Sequence, residues 1–415
     1  MDQRRRWLAD RVTRGLGFSR VVVVTGPRQS GKTTLVRKMV EPEGTFRRLD
    51  DEATLQAARN DPISFANYGP TPRAIDEIQL GGDSLVRAVK TVVDDNPAKG
   101  QFILDGSADF LTVPGLSESL AGRASFYELL PFSQGEIEGS RDEFVRRAFT
   151  DPDSLRDSAT SPVTRNDYLD RIVRGGFPEA YVLPSEDRAD WFDGLVRTVT
   201  QRDITALANA RRAGEIPRLL RLLAARTASE LVISQIHSDS GLGRDTTADY
   251  IGFLEMTYMI HKVSAWSTNF TNRARRTPKA YLLDPGLAAH LLGVDVEGLA
   301  VPEDQRRGPL TETFVVGEVK KQLAWSGTRA QMFHFRDQHG AEVDLILEHP
   351  DGRIVAVEVK AASTTQGRDF KHLAALRDKL GNRFVHGFVL SMHPTPVAFG
   401  DRLTGLPISA LWTNR

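Results

Sequence analysis

Apolar positions in the amino-terminal part of the chain come in short β-branched runs separated by stretches with helical spacing. Residues 21–24 are four consecutive valines, residues 35–40 carry a helical pattern, and short strand-like runs follow at 73–75 and 102–104. Strands of this kind interleaved with helices predict a parallel α/β sheet. A polar segment at 139–167, rich in Asp, Ser and Arg, breaks the rhythm and is expected to be a long loop or linker. From 168 to 300 the pattern is mainly helical, with a sharp interruption at Gly175, Gly176 and Pro178. Two prolines amid charges mark 301–309, and strand patterns return at 333–335, 343–347 and 354–359. The expected division is an α/β core over 1–145, a helical segment over 168–210, a further unit over 211–300 and a mixed α/β unit over 301–415.

Composition narrows the classes. At 415 residues the chain has room for several cores, given roughly 100–200 residues per domain. Lys plus Arg equals Asp plus Glu at 54 each, so bulk charge gives no argument for nucleic acid or an anionic membrane, and local patches must supply one. The absence of cysteine excludes a disulfide framework, a thiolate metal site and a thiol nucleophile. Neither a signal-like apolar stretch near the start nor a run approaching the roughly 20 residues of a membrane span is present, and the expectation is a soluble, cytoplasmic protein without a membrane partner.

One motif carries strong chemistry. Gly26, Pro27, Arg28, Gln29, Ser30, Gly31, Lys32 and Thr33 fit G-x-x-x-x-G-K-[ST] between a predicted strand and a predicted helix, with Thr34 next in line. Glycines at the first and sixth positions let backbone N–H groups and a helix N-terminus face phosphates. Lys32 is placed to reach the β and γ phosphates of ATP, and Thr33 to ligate Mg²⁺. Asp76 and Glu77 end a later strand: Asp76 is expected to hold the metal through water, and Glu77 to polarise the attacking water as general base. A third strand ends in Asp105-Gly106-Ser107, where Ser107 is the candidate sensor of the γ phosphate, against the bland alternative of a Gly-Ser turn.

With these motifs in this order, the chain resembles prokaryotic AAA-superfamily ATPases that carry a C-terminal domain of unknown function. The likeness extends to Ala121-Gly122-Arg123, Leu130-Pro131-Phe132-Ser133 with Glu136, Gly175 to Glu179, Arg202-Asp203-Ile204, Pro278-Lys279 and Asp284 to Leu287. It implies an ATPase core over 1–145, a winged-helix-like element within 211–300 and a restriction-endonuclease-like, PD-(D/E)xK-type fold at the end. Asp105 departs from the small hydroxyl residue expected before Gly106. Arg123 and Arg202 are candidates for an arginine that spreads charge in the transition state. An arginine acting in trans would require a homo-oligomer.

The remaining candidates lie downstream. Residues 231–259 have helix-turn-helix proportions, and the loop holding Arg273, Arg275, Arg276 and Lys279 is a candidate contact for DNA phosphates. Asp344 and Glu358 on successive strands, with Lys360 two residues on, form a D…E-x-K set able to gather two carboxylates around Mg²⁺. Glu312 matches the upstream acid that the resemblance implies. Two readings follow: ATP hydrolysis coupled to DNA binding or processing, or an ATP-dependent regulatory or toxin-antitoxin-like protein whose C-terminal domain binds partners without cutting. A small-molecule kinase is disfavoured, because Glu77 suits water activation.

Overall fold

The computed structural model describes residues 4–106, 120–157, 160–204, 213–269, 271, 273, 276–338 and 340–413. Ser107 and Arg275 lie outside the described residues. Two compact units are present: Met1–Phe132 with Met256–Tyr258, and Ser133–Glu255 with Met259–Arg415. Among the described residues no helix is long and apolar enough to cross a membrane.

The first unit is built on a five-stranded parallel sheet, ordered β2-β3-β4-β1-β5. The strands are β1 (Val21–Thr25), β2 (Thr45–Arg48), β3 (Arg73–Asp76), β4 (Phe102–Asp105) and β5 (Ala124–Glu128). The four valines of β1 are fully buried, as a strand covered on both faces requires, which explains a continuous apolar run where an exposed sheet would alternate. Helices Leu8–Leu16, Lys32–Val40, Glu52–Asn60, Pro62–Asn67 and Gly82–Asp95 accompany the sheet. Leu85, Val86, Val89 and Val93 of the last of these pack with Ile75, Phe102 and Leu104 in one core. Asp51 and Asp61 start their helices by accepting the backbone N–H of Thr54 and Ser64 at 2.9 and 3.0 Å.

The second unit contains a nine-stranded mixed sheet, ordered β13-β14-β12-β11-β10-β9-β7-β8-β6. Its members are β6 (Ser229–Glu230), β7 (Ile260–Ala265), β8 (Lys279–Leu282), β9 (Gln331–Arg336), β10 (Glu342–Glu348), β11 (Ile354–Lys360), β12 (Phe384–Ser391), β13 (Val397–Ala398) and β14 (Leu403–Pro407). The β7–β8 hairpin joins the carboxyl-terminal strands through parallel pairing of Ser264 with Phe333 and Ala265 with His334. Strands that the sequence reading divides between the units 211–300 and 301–415 therefore share one sheet.

The segment 139–167 is not a plain loop. It contains the helices Phe144–Thr150 and Asp153–Arg156, and buries Phe144, Val145, Ala148 and Phe149, whose spacing by one and four residues gives one apolar helix face that the surrounding polar residues obscure. Two phrases of the family likeness meet here in space. The Asp284 carboxylate accepts the N–H of Gly176 at 2.7 Å, while capping its own helix through the N–H groups of Gly286 and Leu287. Gly175 is required beside it, because φ is +69° and a Cβ would sit 2.1 Å from Asp284 Oδ1.

Candidate functional site: a phosphate loop and a separate carboxylate cluster

The loop between β1 and the helix Lys32–Val40 is shaped by its glycines. Gly26 has φ +146°, and a Cβ there would lie 2.2 Å from the Leu129 carbonyl oxygen; Gly31 caps the helix at φ +92°. The first N–H groups of that helix have no partner one turn back, so they form the donor set a phosphate needs. Lys32 is buried, and its Nζ donates to the carbonyl oxygens of Gly26 at 3.1 Å and Pro27 at 2.9 Å. Burial pulls its pKa down, against the opposing pull of Asp105, Glu77 and Asp76.

Three strand tips bring the acids together. In register, Asp105 on β4 is level with Val24 on β1, and Leu104 with Ile75 on β3, so β4 delivers Asp105 between the loop strand and the Asp76 strand. Thr33 Oγ1 donates to Asp76 Oδ1 at 3.1 Å, which puts the hydroxyl and the acid predicted to serve Mg²⁺ side by side. Glu77 follows in a left-handed backbone conformation, φ +55°, with its N–H donating to Asp105 Oδ1 at 3.3 Å and its carboxylate accepting from the Gln79 side-chain amide. A non-glycine residue held in that region is strained, and strain of this kind gathers at functional sites. Burial, reinforced by the neighbouring Asp76 carboxylate, pushes the Asp105 carboxyl well above the usual range.

Sequence reasoning missed Arg6, Asp105 in this role, and Gln79. Arg6 donates to the carbonyl oxygens of Ser30, at 2.6 Å, and Leu130, and lies over the Phe132 ring, clasping the loop from the amino-terminal segment. A lone arginine 24 residues upstream of its partner leaves no pattern to find.

The arginine candidates fare differently. Arg123 precedes β5 and its carbonyl oxygen accepts the N–H of Val21 at the start of β1, so it sits at the edge of the sheet opposite the phosphate loop. Its guanidinium is paired with Asp94 at 2.5 and 2.9 Å. A role on its own chain's γ phosphate is thereby excluded, because in a parallel sheet all strands start at one edge and end at the other. Arg202 is exposed within a π-helical turn, Val199–Asp203, of the second unit.

The downstream candidates do converge, in company the sequence did not announce. Glu312 on the helix Arg307–Trp325, and Glu342 and Asp344 on β10, gather around the buried Lys279 of β8, with Glu342 at the partly exposed rim. Lys279 Nζ lies 2.8 Å from Glu312, 2.7 Å from Glu342 and 3.5 Å from Asp344. Tyr281 O–H donates to Glu312 at 2.7 Å, the Val359 N–H to Asp344 at 2.8 Å, and Lys360 Nζ to Glu358 at 2.6 Å. Burial, with the Asp344 charge next, pushes Glu312 up to about 7 and Glu358 up to about 8. For Glu342 burial is outweighed by the Lys279 ammonium, which holds its carboxyl below the usual range. The basic loop is engaged internally as well. Arg273 forms a bidentate pair with Glu348 at 2.5 and 3.0 Å, its guanidinium lying over Trp266 and Phe333, and Arg276 donates to the Arg336 carbonyl oxygen.

The parallel sheet, the glycine-shaped loop and the paired strand-tip acids are those of a P-loop domain, and a match to an AAA domain supports an AAA-superfamily ATPase. Residues 18–138 match an AAA domain; residues 165–298 and 307–411 match two domains of unknown function, DUF8612 and DUF4143. The chain belongs to the same family as the uncharacterized protein Rv2008c of Mycobacterium tuberculosis and the uncharacterized protein Mb2031c of Mycobacterium bovis. It is 31% identical to each over 365 residues, covering 87% of this chain and 74% of theirs. Among solved structures, the Walker-type ATPase PABY2304 of Pyrococcus abyssi is similar at 16% identity and a TM-score of 0.41, covering 69% of this chain and 94% of that one.

Proposed function

We propose that the first unit hydrolyses ATP with Mg²⁺, through the residues gathered around the loop from Gly26 to Thr34. The observation that carries this reading is the Thr33–Asp76 bond at the tip of a sheet that also delivers Lys32 and Glu77. Backbone N–H groups of the loop from Gly26 to Thr34, Pro27 having none, orient the triphosphate, with Pro27, Arg28, Gln29 and Ser30 forming the turn. Lys32 turns its ammonium from the loop carbonyls to the β and γ phosphates. Thr33 and Asp76 fit a magnesium ion, which Thr33 would hold directly and Asp76 through water, and which would supply positive charge beside the phosphate oxygens. Glu77 accepts the proton of the attacking water, its carboxylate steadied by Gln79, and Asp105 fixes the Glu77 backbone. Phosphate release measured for wild type, Lys32→Ala and Glu77→Gln tests the assignment. Wild type releasing phosphate no faster than Lys32→Ala would sink it.

For the second unit, the helices Ile233–Ser240 and Arg244–Met256 followed by the β7–β8 hairpin support a winged-helix-like element within 211–300. The helix Arg307–Trp325, the β9–β10–β11 meander, the helix Lys371–Leu380 and β12 parallel to β11 support a restriction-endonuclease-like core within 301–415. Of the two uses of hydrolysis, partner binding without cutting is favoured over DNA processing. Arg273, Arg276 and Lys279, candidates for phosphate contact, all donate to groups of the protein itself. Fluorescence anisotropy with duplex DNA at low salt checks this: no binding is expected, and tight binding with steep salt dependence would restore the DNA reading.

A further inference from the structure

The D…E-x-K set would be read as a divalent-metal centre if its carboxylates faced one another across an ion. The donor chemistry does not fit that use. An ammonium has three N–H donors and no acceptor, and Lys279 directs its own at Glu312, Glu342 and Asp344 from a position 2% exposed. Other lone pairs of the set are occupied by Tyr281 O–H on Glu312, the Val359 N–H on Asp344 and Lys360 on Glu358. Mg²⁺ demands near-octahedral oxygens at ~2.0–2.1 Å and keeps several waters. Among the described residues no three His, Cys, Asp or Glu side chains gather in a way that holds a metal.

We propose that Lys279 is the resident cation of this cluster, standing where a phosphodiester-cutting centre would hold its divalent ion. The group is then a fixed ionic lock tying β8 to the helix Arg307–Trp325 and to β10. Admitting a metal would drive the buried ammonium from its three carboxylates. Stranding a buried charge in this way is strongly unfavourable, since desolvation is no longer offset by partners. The lock has a second lysine nearby, Lys360, but that one is bonded to Glu358 and is a third exposed at its side chain, so its ammonium has solvent access that Lys279 lacks.

The test uses the full chain, without nucleotide, and Mn²⁺ as the probe, followed by electron paramagnetic resonance. An Asp76→Asn background silences the metal position of the phosphate loop, so the outcome is independent of the ATPase reading. That chain is expected to bind no Mn²⁺. Adding Lys279→Ala is expected to raise the count from none to one ion per chain, and adding Asp344→Asn to return it to none. Mn²⁺ bound by the Asp76→Asn chain and lost with Asp344→Asn would overturn the proposal. So would a folded Lys279→Ala chain that gains no ion. Should Lys279→Ala fail to fold, the Asp76→Asn chain with and without Asp344→Asn decides alone: absence of binding supports the lock, and Asp344-dependent binding refutes it.

Discussion

Lys32 and Lys279 are both buried lysines beside several carboxylates, yet their ammonium groups are used in opposite ways. Lys32 donates to two backbone carbonyls, acceptors without net charge, while Asp76, Glu77 and Asp105 act on it from farther off. Its charge remains available for a phosphate that enters. Lys279 is bonded to three carboxylates, which together with burial leave it deeply engaged; although burial opposes it, they raise its pKa above the ordinary lysine value. The difference teaches that a conspicuous lysine-and-acid set identifies a site only when the lysine's bonds are weak enough to be exchanged for those of a ligand.

The comparison breaks most easily at its catalytic half. Removing the proton acceptor with Glu77→Gln is expected to lower the rate of phosphate release by about 10²- to 10⁴-fold, with the melting temperature little changed. An equal rate in the variant would remove Glu77 from the mechanism. On the other side, Lys279→Met leaves Glu312 and Asp344, both largely covered, and the rim carboxylate of Glu342 without their cation. Chemical denaturation should show a loss of about 3–5 kcal/mol. A loss below about 1 kcal/mol would mean the cluster is wetter and more exchangeable than the structure shows.

A finer probe is pH. The Glu358 pKa is raised in the folded chain to about 8, by burial first and Asp344 second. The folded state therefore binds this proton more tightly than the unfolded state does. Stability from the group is complete below the unfolded value and declines as pH rises through about 8. The steepest contribution is roughly 1.4 kcal/mol per pH unit. Glu358→Gln should flatten the fall in melting temperature as pH rises from the unfolded carboxyl value to about 8; identical profiles would disprove the shift. The smallest effect is expected at Arg123, whose ion pair with Asp94 lies at the surface. Arg123→Ala should leave the melting temperature where it was, and a clear drop would show the pair to be more protected than its exposure indicates.

How legible these features were depends on how far apart along the chain their parts lie. The phosphate loop is contiguous, and its chemistry requires specific residue types at fixed spacing, so Gly26 to Thr33 could be read directly. Asp76 and Glu77 were readable because an apolar strand delivers them. The strands β2 and β5 left no such mark: both lie at the edges of the sheet, where burial on both faces is not required and polar residues such as Arg47 and Ser125 are tolerated. The helix Phe144–Thr150 was hidden for a related reason, its short apolar face being surrounded by Asp, Arg and Ser.

By itself the sequence determined the parallel α/β core, the phosphate loop and the order of its acids, because local spacing and strand burial dictate them. Tertiary structure alone decided which partners the charged groups take. It set Arg6 on the loop, drew Asp105 between Lys32 and Asp76, turned Arg123 to the far edge of the sheet, and placed Lys279 among carboxylates 33 to 65 residues away. The reason is physical. A residue's type fixes the charge it carries, but only packing fixes whether burial leaves that charge bonded to a neighbouring carboxylate or open to a ligand.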